Sequence, residues 1–162
     1  IPPPAPRLSH TVHATVLFDR PYGNIEYDES VPAIIAHFYG HLSSSQFREF
    51  LDVGADILAE KYQEKKREVV WIANSKYYTV QPNEDTQWAS EFWNPKVYKN
   101  GLRHLGIVIP EKVFGLATVE NYTRFNYMRK ADVLDVMMFK ELENAKAWYR
   151  RVLHENYIKQ QK

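Results

Sequence analysis

Residues 69–74, which read VVWIAN, form the most buried-looking strand of this chain. The first five are apolar without interruption, and such a run is typical of a strand that is covered on both faces. A second run of the same kind, AIIAHFY at residues 33–39, precedes it. Two covered strands with a helical segment between them predict a parallel crossover in the middle of an α/β sheet.

The segment between these two strands carries the signals of an amphipathic helix. Gly40 ends the first strand, and Ser43 followed by Gln46 matches a capping box, which opens a helix. The apolar residues that follow recur at helical spacing, at Phe47, Phe50, Leu51, Gly54 and Leu58.

The alternation of strand and helix continues on both sides of this unit. Toward the N-terminus, residues 13–19 and 24–29 alternate around turn residues and predict an antiparallel hairpin. Toward the C-terminus we predict, in chain order, a helix that opens at Glu84–Asp85 and is kinked or ended at Asn94–Pro95, a strand at 105–109, a helix at 113–129, a strand at 134–139 and a helix at 141–153.

These elements predict a single α/β domain. Its mixed sheet joins an N-terminal antiparallel hairpin to parallel strands and is packed with about four helices. We assign residues 1–12 to a Pro-rich N-terminal arm, residues 13–153 to the domain and residues 154–162 to a C-terminal tail. On the last helix we expect one buried face, formed by Leu142, Ala145, Trp148, Tyr149 and Val152.

The composition of the 162 residues excludes several classes of function. The chain has no cysteine, which removes disulfide frameworks, thiolate metal sites and cysteine nucleophiles. A net charge of +1 gives no global field toward nucleic acid, and the apolar runs are too short to span a bilayer. No phosphate-binding glycine loop, zinc-protease motif or nucleophile elbow occurs. We therefore expect no cofactor, no nucleic acid partner, no membrane span and a cytoplasmic location.

The region after residues 69–74 is the most informative about function. We interpret residues 75–83 as a loop at the carboxyl edge of the parallel strands, where α/β proteins meet ligands and partners. Its aromatic residues exceed what one helical stripe needs, so some should be exposed or line a pocket. The opposing interpretation is that Trp88 and Phe92 are buried in the core. The sequence does not distinguish between these two interpretations. The candidate ligand- or partner-binding residues are Asn74, Tyr77, Tyr78, Asp85, Thr86, Trp88 and Trp93.

Two histidines offer an alternative site. If the strand at residues 33–39 continued, His37 and His41 would share one face, and neutral imidazoles are good metal ligands. No Asp or Glu lies between His37 and Gln46 to complete such a site. We therefore expect ordinary half-buried histidines at a sheet edge and no metal.

Basic and aromatic residues are interleaved near the C-terminus, a combination that nucleic-acid-binding proteins use for phosphate contacts and stacking. Trp148 fits the buried face of the last helix, however, and Arg150 and Arg151 fit its C-terminal dipole end. We therefore favour core packing over RNA binding for this segment.

The order of elements resembles the STAS-like (SpoIIAA-like) α/β domain family, in particular its uncharacterised bacterial branch. The resemblance covers about residues 13–153. It rests on three stretches: VVWIAN at 69–74 followed by NEDTQW at 83–88, LGIVIP at 105–110, and FKELENAKAW at 139–148. It implies an architecture related to the anti-sigma-factor antagonists.

The resemblance also singles out one dipeptide. In the antagonist branch, an Asp-Ser pair at the start of the helix after this strand is phosphorylated by a partner kinase. Asp85–Thr86 lies in the comparable place, with Thr instead of Ser and with Gln87–Trp88 instead of the small residues that follow. These bulkier residues indicate a different partner surface or a pocket.

Three functions remain as hypotheses. The first is a non-enzymatic regulatory or protein-interaction module that docks another protein, or a second copy of itself, around Thr86, Trp88 and Trp93. The alternative is a carrier or sensor of a small apolar or aromatic ligand, which requires a Tyr- and Trp-lined pocket of roughly 300 Å³ or more. The third is an enzyme without a recognisable motif, which requires titratable groups that converge in a cleft, including His37 or His41.

Overall fold

The computed structural model describes residues 13–161, and their six strands form one sheet in chain order. The strands are β1 (Ala14–Arg20), β2 (Gly23–Asp28), β3 (Ala33–Gly40), β4 (Val70–Tyr78), β5 (His104–Val108) and β6 (Asp135–Phe139). β1 to β3 pair antiparallel, whereas β3 to β6 pair parallel. The predicted mixed α/β sheet is confirmed, and the predicted arm of residues 1–12 lies outside the described residues.

Helices cover both faces of the sheet. They are α1 (Ser44–Lys65), α2 (Asn83–Trp88), a π-helical turn (Ala89–Trp93), α3 (Asn94–Lys99), α4 (Val113–Tyr127) and α5 (Leu142–Gln160). α1 to α4 share the larger core with one face, and α5 shares a smaller core with the other. β3 and β4 contribute to both cores, as their continuous apolar runs predict. Within the described range, no helix has the length and apolarity needed to cross a bilayer.

α1 begins as predicted. The Ser43 side chain accepts a hydrogen bond from the Gln46 backbone N–H, and the Gln46 side chain accepts one from Ser43, which completes the capping box. Two turns later, Gly54 faces the ring of Trp71 on β4, and a methyl group added at Gly54 would overlap that ring. The absence of a side chain at Gly54 therefore lets α1 approach the sheet.

Gly54→Ala is expected to destabilise the protein, although alanine favours a helix by about 1 kcal/mol over glycine. Overpacking against Trp71 should lower the free energy of unfolding by about 1–3 kcal/mol, measured by urea denaturation. Gln63→Ala, at an exposed position of the same helix, is the control and should change stability little. A Gly54→Ala protein as stable as the wild type would contradict this packing.

The helical segment after β4 differs from the prediction. It is neither ended nor simply kinked at Asn94–Pro95, since a π-helical turn leads directly into α3. Pro95 has no N–H to donate, and a π-helical turn is one way to adjust the hydrogen-bond ladder near such a residue. The turn inserts an extra residue, so Trp93 rather than Phe92 faces the core five positions after Trp88. Trp93 is 2% exposed and Phe92 64%, and the interpretation that buried Phe92 is wrong.

α5 also differs in detail, because it continues through Gln160 into the segment that the sequence assigned to a tail. Its Ala145 and Tyr149 are buried as expected, but Trp148 is exposed. Lys146 is buried instead, and its Nζ lies 3.0 Å from Asp28 Oδ2 on β2. The face of α5 that packs on the sheet therefore includes a charged residue, Lys146, which is paired with Asp28.

Glu68 connects the amino ends of β4 and β5. Its Oε2 accepts hydrogen bonds from the backbone N–H groups of Arg103 and His104, at 2.6 and 2.9 Å. Its Oε1 lies 2.9 Å from His104 Nδ1. This hydrogen bond raises the pKa of His104, against the opposing effect of burial.

Stability should therefore fall as the pH rises. A histidine whose pKa is raised by folding contributes stability fully below its unfolded pKa of about 6.5, and the contribution is lost as the pH passes the folded pKa. The free energy of unfolding, measured by urea denaturation between about pH 6 and pH 9, should decrease more in the wild type than in His104→Gln. Identical pH profiles for the two proteins would contradict the interaction with Glu68.

Candidate functional site

The carboxyl edge of the parallel strands is built differently from the predicted loop. β4 continues through Tyr78, so the loop begins after Tyr78 and not at Ser75. β3 makes this extension possible, because Tyr39 and Gly40 pair with Tyr77 and Tyr78 after a register shift. Two of the predicted site residues, Tyr77 and Tyr78, thus belong to the sheet.

Three of the predicted residues line an apolar cavity between the sheet and the helices. They are Tyr78, Thr86 and Trp93, and the cavity has a volume of about 60 Å³. Tyr78 stacks on Phe38 with ring centroids 4.7 Å apart, and Trp93 Nε1 donates to Leu51 O at 2.8 Å. Pockets for drug-sized ligands have volumes of about 300–1,000 Å³. This cavity is therefore a gap in the core that admits only a very small apolar molecule.

Asp85 is fully buried and joins α2 to α1. Its Oδ2 accepts hydrogen bonds from Ser44 Oγ at 2.6 Å and from Gln81 Nε2 at 2.8 Å. Its Oδ1 lies 3.3 Å from the Arg48 guanidinium, which also stacks over the ring of Trp88. Asp85 and Trp88 of α2 thus both contact Arg48 of α1. These contacts hold α2 against α1, and this structural role accounts for both residues.

Asp85→Asn is expected to lower the free energy of unfolding by about 2 kcal/mol, because it replaces one buried acceptor oxygen by a donor and leaves Ser44 or Gln81 without an acceptor. The matched control is Glu84→Gln, since Glu84 is exposed on the same helix and should tolerate the change within about 0.5 kcal/mol. Urea denaturation of both proteins measures the difference. Equal stability of the two variants would show that the Asp85 contacts contribute little.

Thr86 lies in the position that the family resemblance singles out. It is 2% exposed, and its hydroxyl donates a hydrogen bond to Asn83 O at 3.0 Å. A kinase needs an exposed hydroxyl, so Thr86 is not accessible to one in this conformation.

Asn74 faces the opposite side of the sheet and belongs to a separate polar cluster. His37 Nε2 lies 3.0 Å from Oε1 of the buried Glu26, and Asn74 Nδ2 donates to His37 Nδ1 at 3.0 Å. These contacts fix the proton of a neutral imidazole at Nε2. A carboxylate that orients an imidazole is one component of a general base, but Asn74 already occupies the other ring nitrogen.

Buried acceptor oxygens remain in this cluster. Asn24 Nδ2 donates to the hydroxyl of Tyr39, while Asn24 Oδ1, Glu26 Oε2 and Asn74 Oδ1 have no hydrogen-bond partner among residues 13–161. Burial of the Tyr39 ring raises the pKa of its hydroxyl to about 12. No local sequence pattern indicates this grouping, because it depends on the register between β2, β3 and β4.

His37 and His41 do not form the shared face that a continued strand would give them. β3 ends at Gly40, and His41 is exposed with Nδ1 3.2 Å from Val80 O. In the described part of the chain, no three His, Cys, Asp or Glu side chains are grouped closely enough to hold a metal ion.

Exposed apolar residues occupy the carboxyl edge at positions that the sequence analysis did not select. Here α4 begins beside the end of β4, because Gly115 packs against Tyr78 O and Thr118 Oγ1 accepts a hydrogen bond from Gln81 N. We call the exposed side chains around this junction the carboxyl-edge patch, namely Val80, Ile109, Val113 and Phe114. The buried face of α4 is formed by Gly115, Thr118, Val119 and Asn126, and Val113 and Phe114 lie outside it. The helical spacing of the sequence indicates instead a stripe through Leu116, Val119 and Thr123, with which Val113 is in register. No local pattern therefore identifies Val113 as exposed.

No model of a known protein family, no curated protein and no solved structure matches this chain.

Proposed function

We propose that this chain is a non-enzymatic regulatory module that binds another protein through the carboxyl-edge patch. The exposure of Val113 and Phe114, which are 79% and 71% exposed, is the observation that carries the proposal. Large apolar side chains gathered at one edge of a domain are typical of protein–protein contacts. The carboxyl edge of parallel strands is also where α/β proteins commonly meet partners.

The docking residues in this proposal are not those favoured by the sequence. Trp93 and Thr86 are buried, and Trp88 is half-buried beneath Arg48. In this proposal Thr86, Trp88 and Trp93 pack beneath the carboxyl edge, and the exposed side chains of the carboxyl-edge patch contact the partner. The proposal agrees with the resemblance to STAS-like domains, without a phosphorylation step at Thr86.

The size of the patch favours a transient partner over a stable second copy. A standard interface buries about 800 Å² on each partner, and four side chains supply only part of that area. We therefore propose a separate protein that inserts an apolar residue or short segment beside Phe114. The carrier hypothesis has less support, because the apolar cavity of about 60 Å³ is too small for an ordinary ligand.

Site-specific photo-crosslinking tests this proposal. A photoreactive phenylalanine analogue at position 114 should give an adduct of one defined mass in cells that naturally make the protein. The adduct should be suppressed by excess wild-type chain and by Val113→Ser in the labelled protein. Position 92 is the matched control, because Phe92 in the π-helical turn is similarly exposed and is not part of the carboxyl-edge patch. The analogue there should give no such adduct.

Other outcomes would overturn parts of the proposal. An adduct of twice the chain mass, together with a dimer in light scattering, would identify a second copy as the occupant. Crosslinking from position 92 but not from position 114 would show that the partner binds the helical segment after β4, as the sequence predicts, and not the carboxyl-edge patch. No saturable adduct at either position would reject an interaction module.

A further inference from the structure

A groove lies at the opposite edge of the sheet, beside the amino ends of β4 and β5. It is bounded by the α1–β4 connection, the α3–β5 connection and the last turns of α5, and its volume is about 460 Å³. This volume is in the range of small-molecule sites. We call it the basal groove, and its basic side chains are Lys66, Arg67, Arg103 and Lys159.

The basal groove has an excess of positive charge that the protein itself does not neutralise. Lys66, Arg67 and Lys159 make no ion pair and no side-chain hydrogen bond with any of residues 13–161. Of the residues that line the groove in the described chain, only Glu68 is acidic. Both of its oxygens already accept hydrogen bonds from the β5 terminus and His104.

Arg103 adds a cation that is held in place. Its guanidinium donates hydrogen bonds to Tyr98 O and Leu102 O, and it stacks over the Tyr98 ring at 3.6 Å from the centroid. Arg103 therefore contributes a fixed charge at one side of the groove. Arg67 makes no ion pair but is oriented by the Tyr157 ring, and Lys66 and Lys159 can move to a ligand.

A second groove of about 450 Å³ continues this surface along α5. It shares Arg67 and Leu153 with the basal groove and adds Arg150, Arg151 and His154. Its described lining contains no acidic residue. Because the whole chain carries a net charge of only +1, this concentration of cations distinguishes the basal edge from the rest of the surface.

We propose that the basal groove binds a small polyphosphate, a ligand that carries about four negative charges on linked phosphate groups. Lysine and arginine bind phosphate by charge-assisted hydrogen bonds. The four basic side chains of the groove, three unpaired cations and Arg103, match the charge of about −4 on a triphosphate near pH 7. The site is independent of the carboxyl-edge patch and of the function proposed for it.

The aromatic residues of the groove favour this ligand over a nucleic acid strand. Single-strand binding proteins offer free aromatic rings on which bases stack. Two tyrosines line the groove, Tyr62 and Tyr157. The Arg67 guanidinium lies over the Tyr157 ring, 5.2 Å from its centroid, and the Tyr62 ring packs against Gly101. Both rings are thus in contact with the protein, and one of them orients a cation of the groove.

Isothermal titration calorimetry with inorganic tripolyphosphate and with ATP tests the proposal on the full chain at low ionic strength. We expect saturable binding of both with one site per chain, and weaker binding as salt is added. The triple variant Lys66→Gln, Arg67→Gln, Lys159→Gln should bind at least about tenfold more weakly, since it removes the unpaired cations.

The control removes the same charge elsewhere. Lys112→Gln, Lys130→Gln, Lys140→Gln changes three exposed lysines outside both grooves and should keep wild-type affinity. Equal losses in the two triple variants would indicate a nonspecific charge effect and overturn the proposal. Absence of saturable binding, or saturable binding of an oligothymidylate but not of tripolyphosphate, would also overturn it.

Two measurements keep the result interpretable. Thermal unfolding verifies that the groove variant folds, and the single variant Lys159→Gln replaces it if the triple variant does not. Photo-crosslinking from position 114 should be unchanged in the groove variant. Failure of polyphosphate binding therefore leaves the interaction module standing, and failure of crosslinking leaves the groove standing.

Discussion

Burial of β3 and β4 on both faces organises this domain. Ile34 and Trp71 face the core shared with α1 to α4, while Ile35 and Ile72 face the core shared with α5. Two strands that are apolar on both sides can be satisfied only in the middle of a sheet with helices on each face. The order of the other strands, and hence the position of both sheet edges, follows from this central pair.

The two edges of the parallel strands have different chemistry because different connections form them. The carboxyl edge is built from the β4–α2 loop and the start of α4, where Val113 and Phe114 are exposed. The basal edge gathers the end of α1, the α3–β5 turn and the end of α5, which supply most of its cations. The proposed protein-binding patch and the proposed polyphosphate groove therefore lie at opposite edges of the sheet and do not overlap.

Buried polar groups define the sheet register and the attachment of α2. Asp85 is held by Ser44, Gln81 and Arg48, so α2 can attach in one orientation. The Glu26–His37–Asn74 cluster similarly requires one alignment of β2, β3 and β4, since a shift of one residue would turn these groups to the other face. The presence of these buried polar groups can therefore be explained by their role in selecting one fold, without a ligand.

The fold class, the order of strands and helices along the chain and the start of α1 could be predicted from the sequence, because they depend on local periodicity and capping. Which of the predicted site residues lie together depends on the three-dimensional packing. The π-helical turn exchanged Phe92 for Trp93 in the core, and the extension of β4 moved Tyr77 and Tyr78 into the sheet. The grouping of Lys66, Arg103 and Lys159 joins segments distant in sequence. Such contacts depend on register and packing between elements, which no local pattern encodes.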